Sequence, residues 1–233
     1  MSNKLIVALD VDALQKAKRL VDKLYPAIKI FKVGSELFTA CGPEAVDMIN
    51  KKRAKVFLDL KFHDIPNTVA KAVVHAARLG VFMVNVHASG GGEMIKAAKK
   101  ALIALPKNKR PILLAVTVLT SIDKVTLKSL GINRPTIKQV CLLAKMAKAY
   151  GADGVVCSPQ EIKQVRRACG KNFIIVTPGV RPQGKALADQ KRVATPQEAI
   201  KQGADFIVVG RPITQAPNPK KAAEEINDDI RNI

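Results

Sequence analysis

Asp59 and Lys61 stand two residues apart at the end of an apolar run, and on extended backbone that spacing sends both side chains to one face. Lys32 closes a second such run and Asp10 a first, while Asp64 follows Lys61 by three positions. If the runs are neighbouring strands, Lys32 alternates with the pair, giving a Lys-Asp-Lys cluster with Asp64 just beyond. Several buried charges cost more than an apolar filling of the same volume, so gathering them at one place points to use. The plainer alternative is a structural ion-pair network.

A second set of residues suits an anion. Gly179 precedes Arg181 in Pro-Gly-Val-Arg, and Gly210 precedes Arg211. Glycine lets backbone N–H groups approach an anion closely, and arginine offers a planar fork for phosphate oxygens. A phosphorylated substrate is the expectation; the alternative is that the glycines serve turns and the arginines are solvated. His63, His75 and His87 match no standard metal spacing, and structural or supporting roles are expected for them. The four cysteines, Cys41, Cys141, Cys157 and Cys169, contain no C-x-x-C pair, which reads as reduced thiols and not as a zinc knuckle or disulfide framework.

These groups need elements to hold them. Eight short apolar runs recur, at 5–9, 28–33, 56–60, 82–86, 112–116, 154–157, 173–176 and 206–209. Continuous apolar runs, as opposed to alternating ones, suit parallel strands buried on both faces. Helical spacing fills the intervals at 13–24, 43–52, 69–79, 93–105, 137–150 and 160–169, and a last helix is expected at 219–230. Gly80, Gly151, Gly170 and Gly203 fall just ahead of strands four, six, seven and eight as helix stops. The pattern predicts an α/β fold, a (β/α)8 TIM barrel forming one domain over residues 1–233. The competing open doubly wound sheet would carry G-x-G-x-x-G after its first strand, and this chain does not. In a barrel the active site lies at the carboxyl ends of the strands, where Asp10, Lys32, Asp59, Lys61, Asn85, His87, Thr117, Thr120, Arg181 and Arg211 all fall.

The net charge of +20 raises nucleic-acid binding as a possibility. Yet the basic residues spread over nearly every expected helix, aromatics are 4% and tryptophan is absent, which leaves few platforms for stacked bases. A generally basic, solvated surface is expected, with neither nucleic acid nor membrane as partner. The start of the chain turns charged too soon for a signal peptide, and no apolar stretch approaches the ~18 residues of a membrane helix, so the expected location is cytoplasmic.

The ten residues 59–68, Asp-Leu-Lys-Phe-His-Asp-Ile-Pro-Asn-Thr, resemble the signature of the orotidine 5'-phosphate decarboxylase family. Further stretches fit in order at 7–10, 32–35, 117–121, 177–182, 189–192 and 208–212, so the resemblance spans essentially the whole chain. It implies decarboxylation of orotidine 5'-monophosphate to UMP and CO2, the last step of de novo UMP synthesis, with no cofactor and no metal. It implies Lys61 as proton donor to C6 of the pyrimidine, and Asp59 against the departing carboxylate. Lys32 and Asp64 would complete the charge array, and Asp10 and Lys32 would contact the ribose. Thr120, Arg181, Gln190, Gly210 and Arg211 would bind the pyrimidine end, the phosphate or the closing loop. It further implies a homodimer in which the partner subunit supplies Asp64 and Thr68 to each site. Metal-dependent sugar-phosphate lyases and aldolases share an Asp-x-Lys-x-x-Asp core but need acidic metal ligands and lack the His-Asp-Ile-Pro-Asn-Thr continuation. A basic RNA-binding barrel is the alternative from another class.

Overall fold

The computed structural model describes residues 4–181 and 194–231. Eight parallel strands follow one another around a closed barrel: β1 Leu5–Ala8, β2 Ile30–Gly34, β3 Lys55–Phe62, β4 Met83–His87, β5 Ile112–Val116, β6 Gly154–Val156, β7 Ile174–Thr177 and β8 Phe206–Val209. β8 closes on β1 with Ile207 opposite Leu5. Eleven α-helices among the described residues surround it: α1 Leu14–Leu24, α2 Ser35–Cys41, α3 Glu44–Asn50, α4 Pro66–Arg78, α5 Gly92–Ile103, α6 Lys124–Ser129, α7 Thr136–Ala149, α8 Ile162–Cys169, α9 Pro196–Lys201, α10 Arg211–Thr214 and α11 Pro219–Arg231. No helix among the described residues is long and apolar enough to cross a membrane.

Each apolar run of the sequence became a strand because both of its faces are covered. Outward residues such as Val7, Val33, Val56 and Val84 join the large apolar layer beneath the helices. Inward ones form a separate cluster, Ile6, Ala8, Ile30, Phe57, Met83, Leu114, Val176 and Val208, which plugs the barrel. Continuing the same alternation one step toward the carboxyl ends replaces apolar residues by Asp10, Lys32, Asp59 and Asn85. The plug is thus the floor on which the polar residues stand.

The far end of the barrel is fastened by α8. Arg166 donates through Nη1 to the carbonyls of Gly170, Lys171 and Phe173, and through Nη2 to the carbonyl of Gly203 and to Asp205. Asp205 in turn accepts from the backbone N–H of Ile175. One side chain thereby links α8 to the segments entering β7 and β8.

The barrel has one marked irregularity. Leu58 pairs with Val84 but Phe62 with Val86, so four residues of β3 run alongside two of β4. Within this bulge Lys61 has φ +51°, in the left-handed region that costs a residue with a Cβ about 1–2 kcal/mol.

Candidate active site

At the carboxyl ends of the strands four charged side chains form a line. Asp10 follows β1, and its Oδ1 lies 3.0 Å from Lys32 Nζ on β2. Lys32 Nζ is 3.4 Å from Oδ2 of Asp59 on β3, and the other oxygen, Oδ1, is 2.8 Å from Lys61 Nζ. The inner members are well covered, with 11% of the Lys32 side chain and 13% of Asp59 exposed, whereas the Asp10 and Lys61 ends open outward. Burial by itself would push the Lys32 ammonium down, but the Asp59 and Asp10 carboxylates outweigh it and hold its pKa above the ordinary lysine value. Space for that ammonium depends on Gly34, two residues along the same inward face. A Cβ there would stand 2.8 Å from Lys32 Nζ.

Asp59 and Lys61 do come together, as their spacing predicts, but not through strand alternation. The backbone at Lys61 is left-handed, and the bulge swings its side chain back onto Asp59. What supports this turn is Asn85 on β4, fully buried, whose Oδ1 accepts from the Lys61 backbone N–H at 2.8 Å. Its Nδ2 donates to Asp59 Oδ1 at 2.6 Å. Sequence reasoning placed Asn85 at the end of a strand and gave it no role. The available signal was a lone amide at an inward position of an otherwise apolar run.

The array borders a cavity of about 240 Å3, close to the lower end of small-molecule pockets (roughly 300–1,000 Å3). Thr120, Gly179, Arg181, Gly210 and Arg211 line it together with the charges, Gly210 close beside Asp10. Arg181 is 8% exposed, and its backbone N–H donates to the Ala194 carbonyl. Arg211 opens α10 at the end of β8. The loops after β7 and β8 therefore bring their arginines to the cavity that the carboxylates and lysines border, as their places in the sequence predict. Gln190 lies outside the described residues.

Asp64 and Thr68 stand apart. Both are exposed, neither borders the cavity, and Asp64 Oδ1 accepts from its neighbour, the Ile65 N–H. Within one chain, then, Asp64 does not complete the array. The surrounding segment 63–68 is exposed throughout and includes Ile65 at 66% exposure.

His63 and His87 stack at the rim, ring centroids 5.4 Å apart. His87 Nδ1 lies 2.6 Å from Ser89 Oγ and accepts the Ser89 N–H, which suits a neutral ring protonated on Nε2. Burial, then His63 and Lys61, push its pKa down. His75 lies on α4, away from the cavity. Among the described residues no group of three or more His, Cys, Asp or Glu is placed to hold a metal ion.

A closed (β/α)8 barrel whose mouth holds a line of alternating charges and two arginine-bearing loops around one cavity defines a barrel enzyme acting on a small anionic substrate. A model of the orotidine 5'-phosphate decarboxylase / HUMPS family matches residues 3–226, and the chain belongs to that family. It is 54% identical over 229 residues to the orotidine 5'-phosphate decarboxylase of Trichlorobacter lovleyi, covering 98% of this chain and 95% of the relative. It is 50% identical to that of Actinobacillus pleuropneumoniae over 99% of this chain and the whole of the relative. The crystal structure of the Lactobacillus acidophilus orotidine 5'-phosphate decarboxylase superposes with a TM-score of 0.87 at 44% identity, covering 98% of this chain and 99% of that one.

Proposed function

We propose that this chain, acting as one barrel domain over residues 1–233, decarboxylates orotidine 5'-monophosphate to UMP and CO2 with Lys61 as proton donor and no cofactor. The observation that carries the division of roles is the unbroken line Asp10–Lys32–Asp59–Lys61 beside a cavity that Arg181 and Arg211 also line.

The C6–carboxylate bond breaks with its electron pair left on C6, in the ring plane, where the π-system cannot take it up. CO2 departs, and the pair takes a proton from Lys61 Nζ to give UMP; solvent then reprotonates the amine. A fixed ammonium beside C6 stabilises the charge as it forms, and being already in place it needs no reorganisation at the moment of reaction. Asp59 faces the substrate carboxylate, and their repulsion is relieved as CO2 leaves. Lys32 holds Asp59 and, with Asp10, meets the ribose. Arg181, Gly210, Arg211, Thr120 and Gln190 take the phosphate and pyrimidine ends. These contacts are remote from C6, and binding there can be used to organise the reacting centre. Enzymes lower barriers by roughly 8–23 kcal/mol, and a carbanion without delocalisation calls for the upper part of that range.

The proposed working form is a cytoplasmic homodimer in which Asp64 and Thr68 of each subunit complete the other's site. Their exposure, and that of Ile65 between them, support this reading. Nucleic acid and membrane have no part in it.

The fall in ultraviolet absorbance as orotidine 5'-monophosphate becomes UMP tests the reading, with EDTA-treated protein and with Lys61→Ala. Turnover that survives EDTA and is lost in folded Lys61→Ala supports it. Near-normal turnover in Lys61→Ala overturns the proton-donor role, loss of activity to the chelator overturns the cofactor-free reading, and absence of turnover in the folded native protein turns the test to sugar-phosphate substrates.

A further inference from the structure

We infer that Asn85 is a positioning residue for decarboxylation, fixing at once the rotation of the Asp59 carboxylate and the left-handed backbone that aims Lys61. The inference rests on the role of Lys61 proposed above and adds a residue that touches no substrate.

The geometry carries it in three steps. Lys61 is one of two non-glycine residues with positive φ among the described residues, and it falls in the bulge where β3 and β4 lose register. Strain of this kind persists only where neighbours over-determine the conformation. The neighbour here is Asn85: its Oδ1 accepts the N–H of the strained residue, a donor the broken ladder has released. The same amide then spends its other end on Asp59 Oδ1, the oxygen that also meets Lys61 Nζ. One fully buried side chain therefore holds the backbone of the proton donor and the acceptor of its ammonium.

Asn suits the position because it has one acceptor and one donor on a short stem. Aspartate in its place keeps the acceptor but donates only when protonated. The ionisable groups on the strands around it are Asp59 and Lys61 on β3, Lys32 on β2 and His87 on its own strand, with Lys55 at the opposite end of β3. The residue paired with it on β5 is the apolar Leu114.

The test is steady-state kinetics of Asn85→Ala and Asn85→Asp against the native enzyme, with UMP affinity and the melting temperature measured in parallel and Lys61→Ala as reference. In Asn85→Ala we expect kcat to fall about a hundredfold, the order of loss for an ångström-scale misplacement, with the Kd for UMP changed less than about threefold. In Asn85→Asp we expect turnover that is highest at low pH and declines as pH rises, a titration the native profile lacks. If Asn85→Ala does not fold, the pH profile of Asn85→Asp decides the matter alone. Native-like kcat in folded Asn85→Ala, or an Asn85→Asp profile superimposable on the native one, overturns the inference. Turnover retained in Lys61→Ala would instead overturn the reading on which it rests, whatever Asn85 does.

Discussion

At the scale of single residues, the site works by holding charges where water would otherwise dissipate them. Lys32 is the anchor, shared between Asp10 and Asp59. Its folded-state pKa is raised, so its charge contributes stability in full below the unfolded value near 10.4, and that contribution is lost as pH rises through the still higher folded value. Thermal melts should therefore show the native protein keeping its advantage over Lys32→Met unchanged from pH 7 to about 10 and losing it only above. An advantage that shrank between pH 7 and 9 would count against the pairing. His87 behaves in the opposite sense. Its folded pKa lies below the unfolded value near 6.5, so its contribution is present above that value and is lost as pH falls through the folded one. A carbon-bound proton of its ring, followed by NMR, should titrate below 6.5, and a midpoint at or above 6.5 would remove the burial argument.

At the scale of elements, the ends of the barrel divide the labour. Arg166 and Asp205 fasten α8, β7 and β8 on the side away from the cavity. Arg166→Ala leaves several carbonyls without their donor, a loss of about 2–3 kcal/mol and so roughly 4–12 °C in melting temperature for a chain of this size. Because it is remote from the charge array, kcat at saturating substrate should stay unchanged below the melt; a large fall in kcat would show that the two ends are coupled. The same division explains what the sequence disclosed. All eight strands were legible because a run of apolar residues buried on two faces has few other places to go, and the longer helices because they show the 3.6 period. Of the short helices only α3, seven residues long, was legible, at 43–52; α2, α6, α9 and α10, of 4–7 residues, were not, since so short a segment carries little period. For α9 a capping box was there to be seen, Thr195 with Glu198. In the site, the charged residues were legible as violations of the apolar pattern. The bulge was not, because nothing in Leu60-Lys61-Phe62 signals a left-handed residue; it is imposed by the tertiary partner Asn85.

At the scale of the whole molecule, the proposed sharing of Asp64 makes a sharp claim about assembly. In a two-fold dimer every site draws Lys61 from one subunit and Asp64 from the other, so Lys61→Ala and Asp64→Ala subunits can complement each other. Mixing the two inactive variants in equal amounts, with exchange, should restore about a quarter of native activity: half the dimers are mixed, and each has one intact site out of two. No recovery, with exchange shown by light scattering of differently tagged subunits, would mean that Asp64 serves its own chain or none.

The apolar plug beneath the array has a consequence for proton traffic. Ile6, Phe57, Met83 and Leu114 close the barrel from below with no more than 1% of each exposed. These side chains carry no polar atom that could pass a proton to Lys61 from that side. In the proposed reaction the neutral amine is therefore recharged from the mouth, the side on which the cavity lies. Under that proposal the donor is reloaded on the same side as the substrate binds, so a bound nucleotide stands between Lys61 and solvent and the charge on the donor is restored as the site is vacated.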